Sequence, residues 1–124
     1  MQQLFVLSLE HLGVLRIRGA DARRFLQGQV SNDIGKLKDG PLFAGLHDPQ
    51  GRVLALLRMV ALGDDDVLAL LPRELSARIL AHLQKYVLRA RVTLEAADAQ
   101  WHAYGICGPD TEAAAHLRKS IHIS

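Results

Sequence analysis

Residues 42–71 read LFAGLHDPQGRVLALLRMVALGDDDVLALL and decide the fold of this chain. The stretch contains three apolar runs separated by two segments that favour turns. In the first turn, Pro49 has a fixed φ and Gly51 is free to take a positive φ. The second turn consists of Gly63 and three aspartates, which we interpret as a solvated turn because they lack the alternating ligands and central glycine of a calcium loop. The stretch therefore predicts three consecutive antiparallel strands, at 42–47, 52–62 and 67–71.

One strand and one helix are predicted before this meander. Residues 13–18, GVLRIR, alternate between apolar and polar side chains, which is typical of a strand with one polar face. Asp21 is well placed to cap a helix over residues 22–30. Gly28 inside that helix indicates a close backbone approach. The helix is expected to end near residues 31–33, and a loop leads from there into the meander.

A second helix and a further strand follow the meander. Pro72 opens the helix, in which apolar residues recur at intervals of three and four as far as Val87. Residues 91–96, RVTLEA, are predicted to form a strand. The fold class is therefore α+β, with a mainly antiparallel sheet, two helices on one face and a ferredoxin-like arrangement, and this first domain covers residues 1–98.

Residues 99–124 are expected to open a second unit that is truncated. Residues 103–107 are predicted to form its strand, and residues 111–119 its helix. The tail SIHIS alternates like one more strand but has no partner in the sequence. An unpaired strand invites association, so a homodimer through residues 120–124 is one hypothesis.

Composition excludes several classes of protein. The chain has 124 residues, 15 Lys and Arg against 13 Asp and Glu, and 5% aromatic residues, so neither a basic patch nor stacking rings indicate direct nucleic-acid binding. No apolar run is long enough to indicate a membrane span. The histidines and Cys107, the only cysteine, show no zinc-ligand spacing. A single cysteine favours a reducing compartment and hence the cytoplasm.

Spacing alone gives no catalytic constellation. Cys107 lies late in a predicted strand, which favours a buried structural thiol over a nucleophile. One polar cluster stands out at the end of the first predicted helix; it contains Gln27, Gln29, Ser31, Asn32 and Asp33. Two interpretations stay open, a helix terminus with its cap, or a carboxylate that accepts hydrogen bonds from the N–H groups of a heterocycle.

Four segments carry a resemblance to a known family. DARRFLQGQVSNDIGKL, at residues 21–37, resembles the first-helix signature of the YgfZ-type folate-binding proteins, whose usual form is DA-x-x-FLQGQ-x-T-x-D. LHDPQGRVLALLR resembles the hairpin of that family, LQKYVLRARVTL its passage from helix to strand, and YGICGPDTEAA the entry to its next unit. The four segments occur in the family's order and span nearly the whole chain.

The resemblance implies a ligand and its binding residues. The family includes the aminomethyltransferase T-protein of the glycine cleavage system, and it implies the folate-binding domain fold with tetrahydrofolate or a derivative as cofactor. The matching helix end places Asp33 against the pterin, with Asn32, Gln29 and Gln27 beside it. Arg52 is a further candidate because a guanidinium suits the carboxylates of a folate tail, although a solvated arginine beside a turn is the plainer interpretation.

The resemblance also implies a function, with two alternatives. YgfZ-type proteins support iron–sulfur cluster assembly or repair, with iron–sulfur proteins as partners and a link to tRNA modification. An aminomethyltransferase or other one-carbon transferase is the first alternative, but residues 53–56 are apolar where those enzymes carry an acidic pair. The second is an inactive fragment that self-associates. The family's K-G-C-Y-x-G-Q-E motif does not occur before Ser124, so we expect an N-terminal portion rather than a complete enzyme.

Overall fold

The computed structural model describes residues 5–107 and 122–123. The helices are α1 (Ala22–Gln27), a 3-10 helix (Ile34–Asp39) and α2 (Arg73–Gln84). The strands are β1 (Phe5–Ser8), β2 (Leu12–Arg18), β3 (Leu42–His47), β4 (Val53–Gly63), β5 (Asp66–Pro72), β6 (Thr93–Ala96), β7 (Trp101–His102), β8 (Tyr104–Cys107) and β9 (His122–Ile123). No described helix has the length and apolarity that a membrane span requires.

Five strands form one antiparallel sheet in the order β3-β4-β5-β2-β6. Strands β3, β4 and β5 are the predicted meander, and the predicted strand at 42–47 coincides with β3. The α+β fold class is confirmed.

The main core lies between one face of the sheet and the helices. Leu15 and Ile17 of β2 face it, while Val14 belongs to a separate cluster on the other face. Such alternation follows from the two-residue period of a strand. Both α-helices and the 3-10 helix contribute to the main core through Phe25, Leu26, Ile34, Leu37, Ile79 and Leu83.

The opposite face of the sheet is covered in part by the segment that follows β6. Trp101 and Ala103 pack there with Val14, Leu68 and Leu70. Backbone contacts fix the segment, since the Ala97 N–H donates to the Val14 carbonyl at 2.8 Å. The predicted division between residues 98 and 99 stays a prediction.

The first helix is shorter than predicted and ends at Gln27, with Gly28 at its C-terminal cap position. Residues beyond it leave the helix because they pair with β3: Val30 forms a bridge with Leu46, and the Ser31 N–H donates to the Gly45 carbonyl at 3.0 Å. The expected close approach at Gly28 is also wrong, since an added Cβ would meet only the Phe25 carbonyl oxygen, at 3.5 Å.

Two further details of this region differ from prediction. Asp21 stands at the cap position of α1, but its side chain makes no capping hydrogen bond there; it accepts instead from the Arg91 N–H at 2.8 Å and from the Arg24 guanidinium. These contacts lower the pKa of Asp21, with the Arg91 N–H the largest cause. The expected loop before β3 contains the 3-10 helix Ile34–Asp39, for which Asp33 is the cap.

Helix α2 begins at Arg73, directly after Pro72, and ends at Gln84 rather than near Val87. The Tyr86 and Val87 N–H groups still donate to Leu83 and Gln84 carbonyls, so the apolar stripe continues through turns after the helix ends. Strand β6 covers residues 93–96 of the predicted 91–96.

The ends of the described chain contain two pairings that the sequence did not reveal. Strand β1 pairs antiparallel with β8, and Phe5 stands opposite Cys107, whose side chain is outside the described part of the structure. Strand β9 pairs with β7, so the expectation that the final strand lacks a partner is wrong. The predicted helix at 111–119 lies outside the described residues.

Candidate functional site

A pocket of about 360 Å³ opens where the end of α1 meets the β3–β4 turn. Three parts of the chain form its walls: the two residues after α1, the turn with the last residue of β3, and one aromatic residue after α2. The lining residues are Gly28, Gln29, His47, Asp48, Pro49, Gly51 and Tyr86. The volume lies within the range of small-ligand pockets.

Backbone pairing holds the α1 side of the pocket against β3. The Val30 N–H donates to the Leu26 carbonyl at 3.1 Å as the last helical turn finishes, and Val30 then forms its bridge with Leu46. The His47 N–H donates to the Gln29 carbonyl at 3.4 Å. The backbones of Gln29 and His47 are therefore adjacent, and both residues line the pocket.

The opposite wall is a tight turn organised by the Asp48 carboxylate, which belongs to a residue only 8% exposed. Its Oδ1 accepts hydrogen bonds from the Gln50 N–H at 3.0 Å and the Arg52 N–H at 2.9 Å, and its Oδ2 accepts from Arg52 Nε at 2.8 Å. Gly51, at φ 85°, closes the turn with an N–H bond to the Asp48 carbonyl. The turn is closed by its own side chain, because the Asp48 carboxylate accepts from two backbone donors.

These contacts keep Asp48 ionised. The Arg52 N–H is the largest cause that lowers the pKa of Asp48 below its ordinary value, and it outweighs the opposing effect of burial. Both oxygens are occupied within the turn, so Asp48 shapes the pocket and adds negative charge to its wall.

Gln29 and His47 supply the free polar groups of the pocket. Both are half-buried, and neither side chain makes a hydrogen bond with any described residue. Tyr86 completes the lining with an aromatic ring, which packs against the His82 ring at a centroid distance of 5.0 Å. A carboxamide, an imidazole and an aromatic ring can together bind a planar polar heterocycle.

The other predicted site residues at the end of α1 organise the chain after the helix. Gln27 accepts from the Ile34 N–H at 2.9 Å and donates to the Asn32 carbonyl at 2.8 Å. Asn32 donates to the Phe43 carbonyl at 2.9 Å and accepts from the Asp33 N–H at 2.8 Å. Asp33 is exposed, and its Oδ1 accepts from the Gly35 N–H at 2.9 Å.

The structure therefore divides the predicted residues. Gln29 lines the pocket, and Arg52 is held beside it by Asp48. Gln27, Asn32 and Asp33 do not line the pocket. The side chains of Gln27 and Asn32 are hydrogen-bonded to the backbone, whereas the second carboxylate oxygen of Asp33 accepts no hydrogen bond from the described residues. That oxygen is available to a ligand.

Sequence reasoning did not identify His47, Asp48 and Tyr86 as site residues. Asp48 was predicted only as part of a turn. An aspartate at the first position of a turn is itself a signal, because its carboxylate can accept a hydrogen bond from the N–H two residues later. Tyr86 belonged to an apolar stripe, where its hydroxyl was the one polar feature. His47 carried no local signal, because only its tertiary neighbours bring it to the pocket.

Comparison with known proteins identifies the family. Residues 2–122 match the family described as the GCVT N-terminal domain, which is nearly the whole chain. The chain belongs to this family, and the recognition drawn from its four motifs is confirmed.

Relatives of two kinds are similar to the chain. An aminomethyltransferase of Thermus thermophilus is 33% identical over 109 residues, which are 87% of this chain and 31% of that protein. A tRNA-modifying protein YgfZ of Vibrio vulnificus is 31% identical over 116 residues, 92% of this chain and 35% of that protein. The chain thus spans about a third of the length of these relatives.

A solved structure shows the same fold. The glycine cleavage system aminomethyltransferase T from Bartonella henselae superposes with a TM-score of 0.76 at 19% identity, covering 93% of this chain and 31% of that one. At this identity the likeness establishes the fold alone.

Proposed function

We propose that this chain contributes to a tetrahydrofolate site in a protein of the YgfZ type. The pocket between α1 and the β3–β4 turn takes the heterocyclic end of the ligand. The observation that carries the proposal is the pair of free polar side chains, Gln29 and His47, beside the Tyr86 ring. The pocket is also built from three of the four segments that resemble the folate-binding family, because Tyr86 lies in the segment LQKYVLRARVTL.

The residues present fit such a ligand. A pterin is flat and carries several hydrogen-bond donors and acceptors along its edge. The Gln29 amide and the His47 ring can form hydrogen bonds with these groups. Asp33 lies outside the pocket lining, so its free oxygen would accept from a part of the ligand that extends beyond the pocket, while Gln27 and Asn32 hold its loop in place. The Arg52 guanidinium is 78% exposed and keeps donors available for a carboxylate of the tail.

The relatives of YgfZ type support a proposal for the cellular role. The Vibrio vulnificus relative is named a tRNA-modifying protein, and by resemblance the role of this chain is to support iron–sulfur cluster assembly or repair in the cytoplasm, with folate as its ligand. Because the chain spans only about a third of its relatives, this role belongs to the whole protein of which the pocket is one part.

Calorimetric titration with 5-formyltetrahydrofolate tests the proposal. We expect saturable binding by the natural chain and weaker binding by Gln29→Ala, by up to about tenfold, which is the loss of one hydrogen bond. Asp33→Asn is a suitable second variant because it retains an oxygen for the Gly35 N–H while losing the charge.

Gln50→Ala is the matched control, since Gln50 lies in the same turn but outside the pocket lining. Unchanged affinity in both Gln29→Ala and Asp33→Asn, or no binding by the natural chain, would sink the proposal.

Aminomethyl transfer is the second candidate, favoured by the named activity of the Thermus thermophilus relative. The start of β4 opposes it, because Val53 and Leu54 offer no carboxylate and Val53 is 64% exposed. Incubation with tetrahydrofolate and a glycine-derived aminomethyl donor decides between the two functions. We expect no one-carbon transfer, and formation of methylenetetrahydrofolate would establish the enzyme.

Self-association of an inactive fragment is a third candidate, and the structure does not support the reason for it. Its basis was an unpaired final strand, but β9 pairs with β7 within the chain. Light scattering that shows only monomers would count against association through this strand.

A further inference from the structure

A second cleft, of about 230 Å³, lies beside α2 on the side of β4. It is distinct from the pocket at the β3–β4 turn, although the rings of His82 and Tyr86, tilted by 53° to each other, connect the two walls. Four α2 residues, one residue after that helix and one β4 residue line it: Leu54, Arg78, Ile79, Ala81, His82 and Lys85.

The charge of this cleft has one sign. Arg78 and Lys85 are exposed, and neither forms an ion pair or side-chain hydrogen bond with a described residue. Some arginines of the chain are paired, as Arg16 is with Asp66 at 2.6 Å. The cleft lining contains no carboxylate, so the two cations have no local partner.

His82 adds an unsatisfied polar atom. Its Nε2 is buried and has no hydrogen-bond partner among the described residues. A buried polar atom without a partner is uncommon in folded proteins and costs stability. In the present geometry this nitrogen is closed to a water-sized group, so an acceptor oxygen in the cleft would pair with it only after the His82 ring turns toward the cleft.

The end of α2 gives a weaker opposing effect. The C-terminus of a helix carries the equivalent of roughly half a negative charge, and His82 and Lys85 lie at that end. The full charges of Arg78 and Lys85 exceed it. The side chains of Leu54 and Ala81 give the cleft an apolar part as well.

We propose that this cleft binds an oxyanion, a carboxylate or phosphate group attached to a small apolar portion. Arg78 and Lys85 neutralise the charge, the His82 ring turns toward the ligand and donates through Nε2, and the apolar portion packs on Leu54 and Ala81. This proposal does not require that the neighbouring pocket binds folate.

Nuclear magnetic resonance of the full chain with labelled histidine tests the proposal. The probes are inorganic phosphate and glutarate, each added at constant ionic strength and pH with chloride as the balancing salt. We expect one of them to shift the His82 ring resonances saturably. The probe that does so assigns the source, phosphate for a phosphorylated ligand and glutarate for a carboxylate.

The double variant Arg78→Gln, Lys85→Gln should weaken this binding by about tenfold or more, because it removes two charged donors. The matched control is Lys38→Gln, Arg89→Gln, which removes the same charge from exposed positions outside the cleft. His82 resonances that stay unshifted with both probes would overturn the proposal. So would equal affinity in the two double variants.

Discussion

At the β3–β4 turn, three donors converge on the carboxylate of Asp48: the N–H groups of Gln50 and Arg52, and the Arg52 guanidinium. A nearly buried carboxylate is tolerated there because each oxygen is hydrogen-bonded. The same contacts fix the position of one wall of the candidate folate pocket. The turn therefore links local backbone geometry to the shape of the site.

Replacing Asp48 by Asn should destabilise the protein. The amide oxygen can still accept from the backbone, but the charge and the Arg52 Nε bond are lost. We expect a lower midpoint of thermal unfolding, followed by circular dichroism. Asp39→Asn, which removes an exposed carboxylate with no partner among the described residues, is the control, and an equal effect of both substitutions would contradict the role of Asp48.

The contribution of Asp48 should depend on pH. Its pKa is lowered in the folded protein from the ordinary value of 3.8. A lowered folded-state pKa means that the contribution is complete above the unfolded-state value and is lost as the pH falls through the folded-state value.

The difference in unfolding free energy between the natural chain and Asp48→Asn should therefore be constant near neutral pH and shrink below about pH 4. Urea denaturation at a series of pH values measures it. A difference in unfolding free energy that grows on acidification would contradict the predicted direction of the pH dependence.

At the scale of elements, the link between β2 and α1 depends on Gly19. Its φ is 134°, and an added Cβ would come within 2.0 Å of the Arg91 carbonyl oxygen. Gly40, before β3, has a φ of 135° but no atom within 4 Å of such a Cβ. Both glycines thus have a backbone conformation that would strain any other residue, but only at Gly19 would an added Cβ also collide with another segment.

Gly19→Ala should destabilise the protein more than Gly40→Ala does. Backbone strain alone costs about 1–3 kcal/mol, which we expect for Gly40→Ala, while Gly19→Ala must also displace the segment at Arg91. Chemical denaturation of both variants measures the difference. Equal losses would show that the close approach at Gly19 relaxes freely.

The elements show what periodicity can and cannot predict. Strand β3 was predictable because turn residues bound an apolar run on both sides. The helix predicted here was longer than α1 because Val30 fits the apolar face of a longer helix. Val30 is in fact buried because it forms a bridge with Leu46 of β3. Short pairings between distant segments, such as β1 with β8, leave no periodic signal.

The candidate site shows the same limit. Gln29 could be predicted as a site residue because it lies within the family signature. His47 and Tyr86 lie 39 residues apart in the sequence and meet only because α2 packs on the sheet. Asp33, Asn32 and Gln27 were chosen as ligand contacts, and the structure adds that their side chains also build the loop after α1.

At the scale of the whole molecule, Trp101 reports on the second face of the sheet. It is the only tryptophan, it is 9% exposed, and it packs with Leu68 and Leu70. If residues 97–103 and the main core form one cooperative unit, tryptophan fluorescence and far-ultraviolet circular dichroism will give the same unfolding midpoint. An earlier fluorescence transition would support a separate second unit from residue 99 onward.

The central claim is that the pocket between α1 and the β3–β4 turn is a folate site. The most direct test is to add 5-formyltetrahydrofolate to the nitrogen-15-labelled chain and follow its amide resonances. We predict saturable shifts of the Gln29 side-chain amide and of the Gly28 and Gly51 backbone amides, which line that pocket. Shifts confined to other parts of the chain, or none at all, would contradict the claim.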